Sequence, residues 1–266
     1  MENRKSLSVL FIGDIVGEAG REAVGGLVSN MVKEYKVGFI VANCENAAAG
    51  RGVTPKISDY LFECGIHVLT SGNHIWDRKE IIPYIESEPR LLRPANFPKS
   101  TPGTGYGIFE DKTGAKIGVL NLCGNLFMDS YENSFATALS LVEQLNKHAR
   151  MIIVDFHAEA TSEKMAMGWW LDGRVSALIG THTHVQTADE KILPKGTAYI
   201  TDVGMTGAMD SVIGMDKEKA LKRFLTLIPD RSEPARDNVW LNGVIIRLDR
   251  ESGKSLHIKR IAVPMK

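Results

Sequence analysis

The sequence lacks most of the features that would set it apart from ordinary enzymes. It has three cysteines, Cys44, Cys64 and Cys123, which are widely spaced, odd in number and form no Cys-x-x-Cys pair. That argues against a disulfide frame or a thiolate zinc site. The expectation is three reduced, buried thiols, as in a cytoplasmic protein. No apolar run approaches the roughly 20 residues of a membrane span. Residues 7–13 follow Arg4 and Lys5 much as a signal peptide would, but the run stops at Asp14 and no small-residue cleavage site follows. Charge of one sign is also missing, since 32 basic side chains balance 32 acidic ones. Nothing therefore favours non-specific binding to nucleic acid or to a membrane surface. An anionic partner must be attracted locally. No Walker loop and no Gly-x-Gly-x-x-Gly turn is found, so a nucleotide cofactor is not indicated.

What is present is ordinary globular material: 266 residues, 44% hydrophobic and 24% charged. That is enough for a core without staples. There is no internal repeat or low-complexity tract, and residues 1–266 read as a single domain. Apolar β-branched runs alternate with segments of helical period, the pattern of a layered α/β fold. Strands are expected at Leu7–Gly13, Val37–Asn43, Ile66–Ser71, Met151–Phe156, Ser176–Gly180 and Ala198–Thr201. Antiparallel pairs are expected at Tyr106–Glu110 with Lys116–Leu122, and at Val239–Leu248 with Ser255–Val263. Helices are expected over Arg21–Tyr35, Lys56–Glu63, Arg78–Glu86 and Ser134–His148. Thr54 and Pro55 supply an N-cap and first-turn proline for the second of these, and Gly65 closes it.

The ligand-type residues collect where strands end. The first strand runs into Asp14, the second into Glu45 and Asn46, the third into Asn73 and His74. The strand at 151–156 ends in His157, and that at 176–180 runs into His182 and His184. In α/β sheets the crevice beyond the carboxyl ends of the strands is where ligands bind. Taken singly, each residue has a bland reading as a turn former, an N-cap or a satisfied histidine. Jointly they point to a site. Four of the seven histidines lie at these ends, while His67, His148 and His257 are expected to be structural.

Asp14, Glu45, Asn46, Asn73, His157, His182 and His184 offer oxygen and nitrogen donors and no thiolate. Such a set suits hard-to-borderline divalent ions. It is too large for one tetrahedral zinc and fits two ions sharing a carboxylate, roughly 3.5–4 Å apart as in two-metal hydrolases. His182 and His184 would point the same way on a strand, whereas a turn would splay them onto different ions. Trp169 and Trp170 are expected to pack the core rather than stack a base. Arg51, between Gly50 and Gly52, reads equally as a phosphate contact or a solvated turn. The Gly204–Gly214 segment is a candidate pocket wall.

With these motifs in order, the chain resembles the calcineurin-like metallophosphoesterases, and within them the YmdB-like branch. The resemblance is carried by Gly13-Asp14-Ile15-Val16-Gly17, by the run Glu45 to Gly52, and by the run Thr70 to Asp77. It continues through Asp155 to Lys164, Gly180 to Asp189, and Thr201 to Gly207. It implies an α-β-β-α sandwich of two mixed sheets flanked by helices. It also implies hydrolysis of small phosphodiesters by a hydroxide bridging two ions, with 2′,3′-cyclic nucleotides the expected substrates and 3′,5′-cyclic AMP a further candidate. A phosphomonoesterase on the same site, or a regulator acting on RNA or nucleotide signals, is the alternative.

One departure stands out. The broader family's first motif is Asp-x-His, and here Val16 occupies the histidine position. The resemblance to the narrower branch implies that the Asn46 amide compensates. Asp14, Glu45, Asn46 and His184 then hold the first ion; Glu45 as bridge, Asn73, His157 and His182 hold the second. An amide in place of an imidazole tilts selectivity from zinc toward iron or manganese. His74 is expected to be catalytic, stabilising the transition state or protonating the leaving alkoxide, with a ligand-orienting role as the alternative. Asp77 and Asp155 read equally as acceptors for imidazole N–H groups or as turn and surface residues. The resemblance also implies a homo-oligomer.

Overall fold

Strand β1 (Ser6–Ile12) shows how the molecule is layered. Leu7, Val9 and Phe11 lie in one apolar cluster, while Leu10 and Ile12 lie in another. Side chains alternate across a strand, so the first set faces a second sheet and the other faces helices. The computed structural model describes residues 5–129, 131–228 and 233–266.

After β1 come the two-residue β2 (Asp14–Ile15), helix α1 (Gly17–Tyr35) and β3 (Phe39–Asn43). Helix α2 (Pro55–Glu63), β4 (Val68–Thr70), a single 3-10 turn (Ile75–Asp77) and α3 (Ile81–Ser87) follow. The middle holds β5 (Tyr106–Glu110), β6 (Lys116–Cys123), α4 (Ser134–Leu145), β7 (Met151–His157), α5 (Thr161–Leu171) and β8 (Ala177–Thr181). Then come β9 (Lys191–Ile192), β10 (Ala198–Ile200), β11 (Met205–Ala208), α6 (Lys217–Thr226) and the hairpin β12 (Val239–Asp249) with β13 (Ser255–Pro264).

One sheet runs β2-β11-β12-β1-β3-β4, with β13 also on β12; the other runs β5-β6-β7-β8-β10-β9. Both are mixed: β1, β3 and β4 are parallel in the first and β6, β7, β8 and β10 in the second. Antiparallel β12 and β5 complete them. Helices α1 and α2 cover the first sheet, and α4 and α5 the second. Between the sheets, Val9, Phe11, Phe39 and Val244 meet Ile117, Val119, Ile153 and Ile200. This is the α-β-β-α sandwich that the sequence implied. Among the described residues, no helix is long and apolar enough to cross a membrane.

Most expected elements are found within a few residues. Thr54 accepts from the Ile57 N–H at 3.3 Å and caps α2, with Pro55 at its first position. The first helix starts a turn earlier than expected, because its opening residues Gly17, Ala19 and Gly20 are small and carry little apolar signal. Helix α5 was not anticipated. Its inward face is Glu163, Lys164, Met167, Gly168 and Leu171, so charged side chains hide the apolar period. That same face corrects the expectation for Trp169 and Trp170. They fall on the opposite side of the helix and are 55% and 47% exposed rather than packed in the core. Cys44 and Cys123 are buried as expected, and Cys64 partly so; all three are free thiols.

Candidate metal centre

The expected residues come from both sheets, at the end of the sandwich where their parallel strands finish. Asp14, Glu45, Asn46, Asn73 and His74 follow β1, β3 and β4; His157 ends β7, while His182 and His184 follow β8. The first Asp is set by a close approach. A Cβ on Gly13 would strike the Gly204 carbonyl oxygen, and the Asp14 N–H donates to that oxygen at 3.1 Å. Glycine permits the contact, and it bends the chain from β1 into β2 beside β11.

His157 sits at the centre of one half of the cluster. Its Nε2 lies 3.0 Å from Glu45 Oε1, 3.2 Å from Asn73 Oδ1 and 3.0 Å from His182 Nδ1. A Cβ on Gly72 would overlap both Glu45 and His157, so only glycine fits there. The other ring nitrogen, Nδ1, is 2.9 Å from Thr181 Oγ1, whose hydroxyl donates to Asp155 Oδ1 at 2.7 Å. Asp155 also accepts from Thr70 Oγ1 and, at 3.0 Å, from Asn43 Nδ2. Asn121 in turn holds the Ser71 backbone at both N–H and carbonyl. These polar residues are buried and all have partners, so the network fixes the His157 ring.

The other half is looser. Asp14 Oδ1 stands 3.8 Å from His157 Nδ1 and 4.0 Å from His184 Nε2. It is buried with no hydrogen-bond partner. Asp14 Oδ2 accepts the His182 N–H at 3.3 Å. His184 points Nδ1 at the Ile213 carbonyl, 2.8 Å away, which places the Gly204–Gly214 segment beside the cluster. Its Nε2 is 3.1 Å from Asn46 Nδ2, which also donates to Glu45 Oε1 at 3.0 Å. The Gly17 N–H donates to the Asn46 carbonyl at 2.9 Å, which holds Asn46 beside the turn carrying Val16.

The two histidines after β8 are splayed. Both have positive φ, 99° for His182 and 67° for His184, conformations costly for residues with a Cβ. His182 faces His157, and His184 faces Asn46 and Asp14. A second, unanticipated network holds this loop. Lys164 Nζ donates to Asp202 Oδ2 at 2.7 Å, and Asp202 also accepts from the Thr183 N–H, the Thr183 hydroxyl and the Gly204 N–H. Both members of the ion pair are fully buried.

Burial sets the protonation pattern together with neighbouring charge. It pushes the Asp14 carboxyl well above its usual range, more than the nearby histidines pull it down. Burial works the same way on Glu45, but the His157 charge and hydrogen bond outweigh it and hold Glu45 low. Burial disfavours the His157 cation, yet Glu45, Asp14 and Asp155 raise it to about 9. Burial and the neighbouring His157 push His182 down to about 3, so its ring is neutral.

His74 lies beside this cluster. Its backbone N–H donates to Glu45 Oε2 at 3.2 Å, and its Nδ1 is 3.1 Å from Asp77 Oδ2. The ring is 26% exposed, so it faces the mouth of the site rather than its floor. Arg51 is exposed; the loop behind it is held by Arg21 and Arg78, which donate to the Ala47, Ala48 and Arg51 carbonyls. His67 is structural as expected, accepting from the Ile40 N–H at 3.2 Å.

The donors of Glu45, His157 and His182 lie close enough together to hold a metal ion. The fit extends to Asp14, where an orphaned buried carboxylate oxygen faces an imidazole nitrogen across a gap longer than a hydrogen bond. Sequence reading missed Asn43, Thr70, Asn121 and Thr181, which support the cluster, and the Lys164–Asp202 pair. The available signal was a polar residue at the end of an otherwise apolar strand.

Similar proteins share this arrangement of strands. A crystal structure of a protein from Thermus thermophilus superposes with a TM-score of 0.91 at 40% identity, covering 98% of this chain and 100% of that one. The crystal structure of a Mycoplasma pneumoniae protein described as a novel phosphatase gives 0.91 at 34% identity, covering 97% and 94%. The 2′,3′-cyclic-nucleotide 2′-phosphodiesterase of Bacillus subtilis (strain 168) is 48% identical over 257 residues, 97% of each chain. The family model described as YmdB-like protein matches residues 10–261. The fold is of the metallophosphoesterase type, and the chain belongs to the YmdB-like family.

Proposed function

We propose that the protein is a two-metal phosphodiesterase acting on small phosphodiesters, with 2′,3′-cyclic nucleotides as its substrates. One observation carries this reading: three ligand atoms within 3.2 Å of His157 Nε2, beside a buried Asp14 oxygen that has no partner. The name of the Bacillus subtilis relative supports the choice of substrate.

In this reading Glu45, Asn73, His157 and His182 hold one ion, and Asp14, Asn46 and His184, with Glu45 shared, hold the other. Turning the Asn46 amide over puts its oxygen where its nitrogen now lies, between Glu45 and His184. This harder donor favours iron or manganese over zinc. When bound, the ions supply a water-derived nucleophile at neutral pH and neutralise charge building on the phosphoryl oxygens.

The chain's own part centres on His74. Asp77 Oδ2 accepts from Nδ1 and orients the ring, while Nε2, 3.4 Å from the Asn73 amide nitrogen, is the atom from which a proton would be delivered. One P–O ester bond breaks as water adds to phosphorus, and the leaving alkoxide takes the His74 Nε2 proton. General-acid assistance of this kind is typically worth about 10²–10⁴ in rate.

The test is a side-by-side assay on 2′,3′-cyclic nucleotides, a bis-aryl phosphate and a mono-aryl phosphate, before and after chelation. The proposal expects diesters to be preferred, activity to vanish with the metal, and Mn²⁺ or Fe²⁺ to restore it. Faster turnover of the monoester would replace the proposal with a phosphomonoesterase.

A further inference from the structure

Glu159 lies two residues beyond His157 and takes no part in the cluster described above. Its Oε2 is 3.1 Å from His182 Nε2, while the Nδ1 of the same ring is 3.0 Å from His157 Nε2. The imidazole is thus held between a half-exposed carboxylate at the rim and the buried centre.

A neutral imidazole carries one proton, on one of two nitrogens. If that proton sat on Nδ1 it would point into the centre and remove the lone pair a ligand needs. An acceptor at Nε2 draws the proton outward and leaves the Nδ1 lone pair facing inward. His182 needs such a guide more than its neighbours do. Thr181 and Asp155 orient His157 from within the core, and the Ile213 carbonyl orients His184. His182 has neither, and its backbone is held at φ 99°. Among the described residues, Glu159 carries the one carboxylate oxygen that approaches its Nε2 this closely. Because the His182 ring is neutral, this half-exposed contact is no ion pair, and what it offers is orientation.

We infer that Glu159 is a positioning residue that fixes His182 as its Nε2–H tautomer and so presents Nδ1 to the ion held with Glu45 and His157. This rests on the two-metal reading and adds a residue to it. The atoms involved are a hydrogen-bond donor and acceptor, so a glutamine, whose amide oxygen also accepts, should substitute.

The experiment is calorimetric titration of Mn²⁺ into metal-stripped wild type, Glu159→Ala and Glu159→Gln, with a melting curve for each stripped protein. For Glu159→Ala we expect one of the two binding events to weaken about 10–100-fold while the other stays as in wild type. Glu159→Gln should bind within a few-fold of wild type, and the stripped proteins should melt alike. Wild-type titration by Glu159→Ala would overturn the inference while leaving the two-metal reading intact. Glu159→Gln as weak as Glu159→Ala would overturn it in favour of a charge effect. A wild type that binds no Mn²⁺ would overturn both readings.

Discussion

Around His157, Glu45, Asn73 and His182 crowd one nitrogen at 3.0, 3.2 and 3.0 Å. Around Asp14 the nearest imidazole nitrogens stand at 3.8 and 4.0 Å, and one carboxylate oxygen meets no donor. The two halves of the cluster share Glu45, which reaches His157 with Oε1 and takes the Asn46 amide on the same atom. The tight half balances its own charge, because a protonated His157 neutralises Glu45. In the loose half Asp14 Oδ1 has no hydrogen bond, and burial pushes the carboxyl up more than the His184 and His157 charges pull it down. A buried charge needs a partner or it becomes neutral. A cation therefore has more to supply on the Asp14 side, and must displace a proton on the His157 side.

Three substitutions and a change of pH act differently on the two halves. Glu45→Ala removes the shared residue, so we expect both ions to be lost and turnover to fall to background, read by elemental analysis and a diester assay. His74→Ala removes a ring that meets the tight half only at the Asn73 amide nitrogen, 3.4 Å from Nε2, and none of the proposed ligand atoms; turnover should fall by about 10²–10⁴ with both ions retained. Loss of metal in proportion to activity would make His74 structural. Asn46→Ala acts on the loose half alone and should leave one ion per chain. Two ions in that variant would refute the amide's part as a ligand.

The smallest effect is one of pH on the metal-stripped protein. His157 is raised from 6.5 to about 9 on folding, so its stabilisation is complete below pH 6.5 and is lost as pH rises through 9. Melting temperature should fall across that window and do so less in His157→Gln. Asp14 is raised from 3.8, so its own loss comes at lower pH and leaves this window to His157. Bound metal in place of the proton should flatten the fall.

The strand ends were legible in the sequence because apolar runs such as Val37–Ala42 stop abruptly at polar residues, and a parallel strand aims its last residues at one edge. The helices with an apolar stripe were legible for a similar reason, as α2 shows with its Thr54 cap and Pro55. Helix α5 was not, since it buries Glu163 and Lys164 against partners far along the chain. The misplacement of Trp169 and Trp170 follows from that, because their side of the helix is fixed by residues that do not look like a core. Strands β2 and β11 are too short to carry a period, yet they hold Asp14 beside Gly204. The splay of His182 and His184 was left open by sequence. It is decided by positive φ angles that neither residue type announces.

The proposal that two ions in this strand-end cluster make the protein a phosphodiesterase is checked on one preparation, assayed for 2′,3′-cyclic nucleotide hydrolysis and metal content as purified, after chelation and after Mn²⁺ is returned. The expected result is two ions per chain with activity, no ions with none, and recovery of both together. Hydrolysis that persists after the metal is gone, or a fully loaded protein that leaves the diester intact, would contradict it.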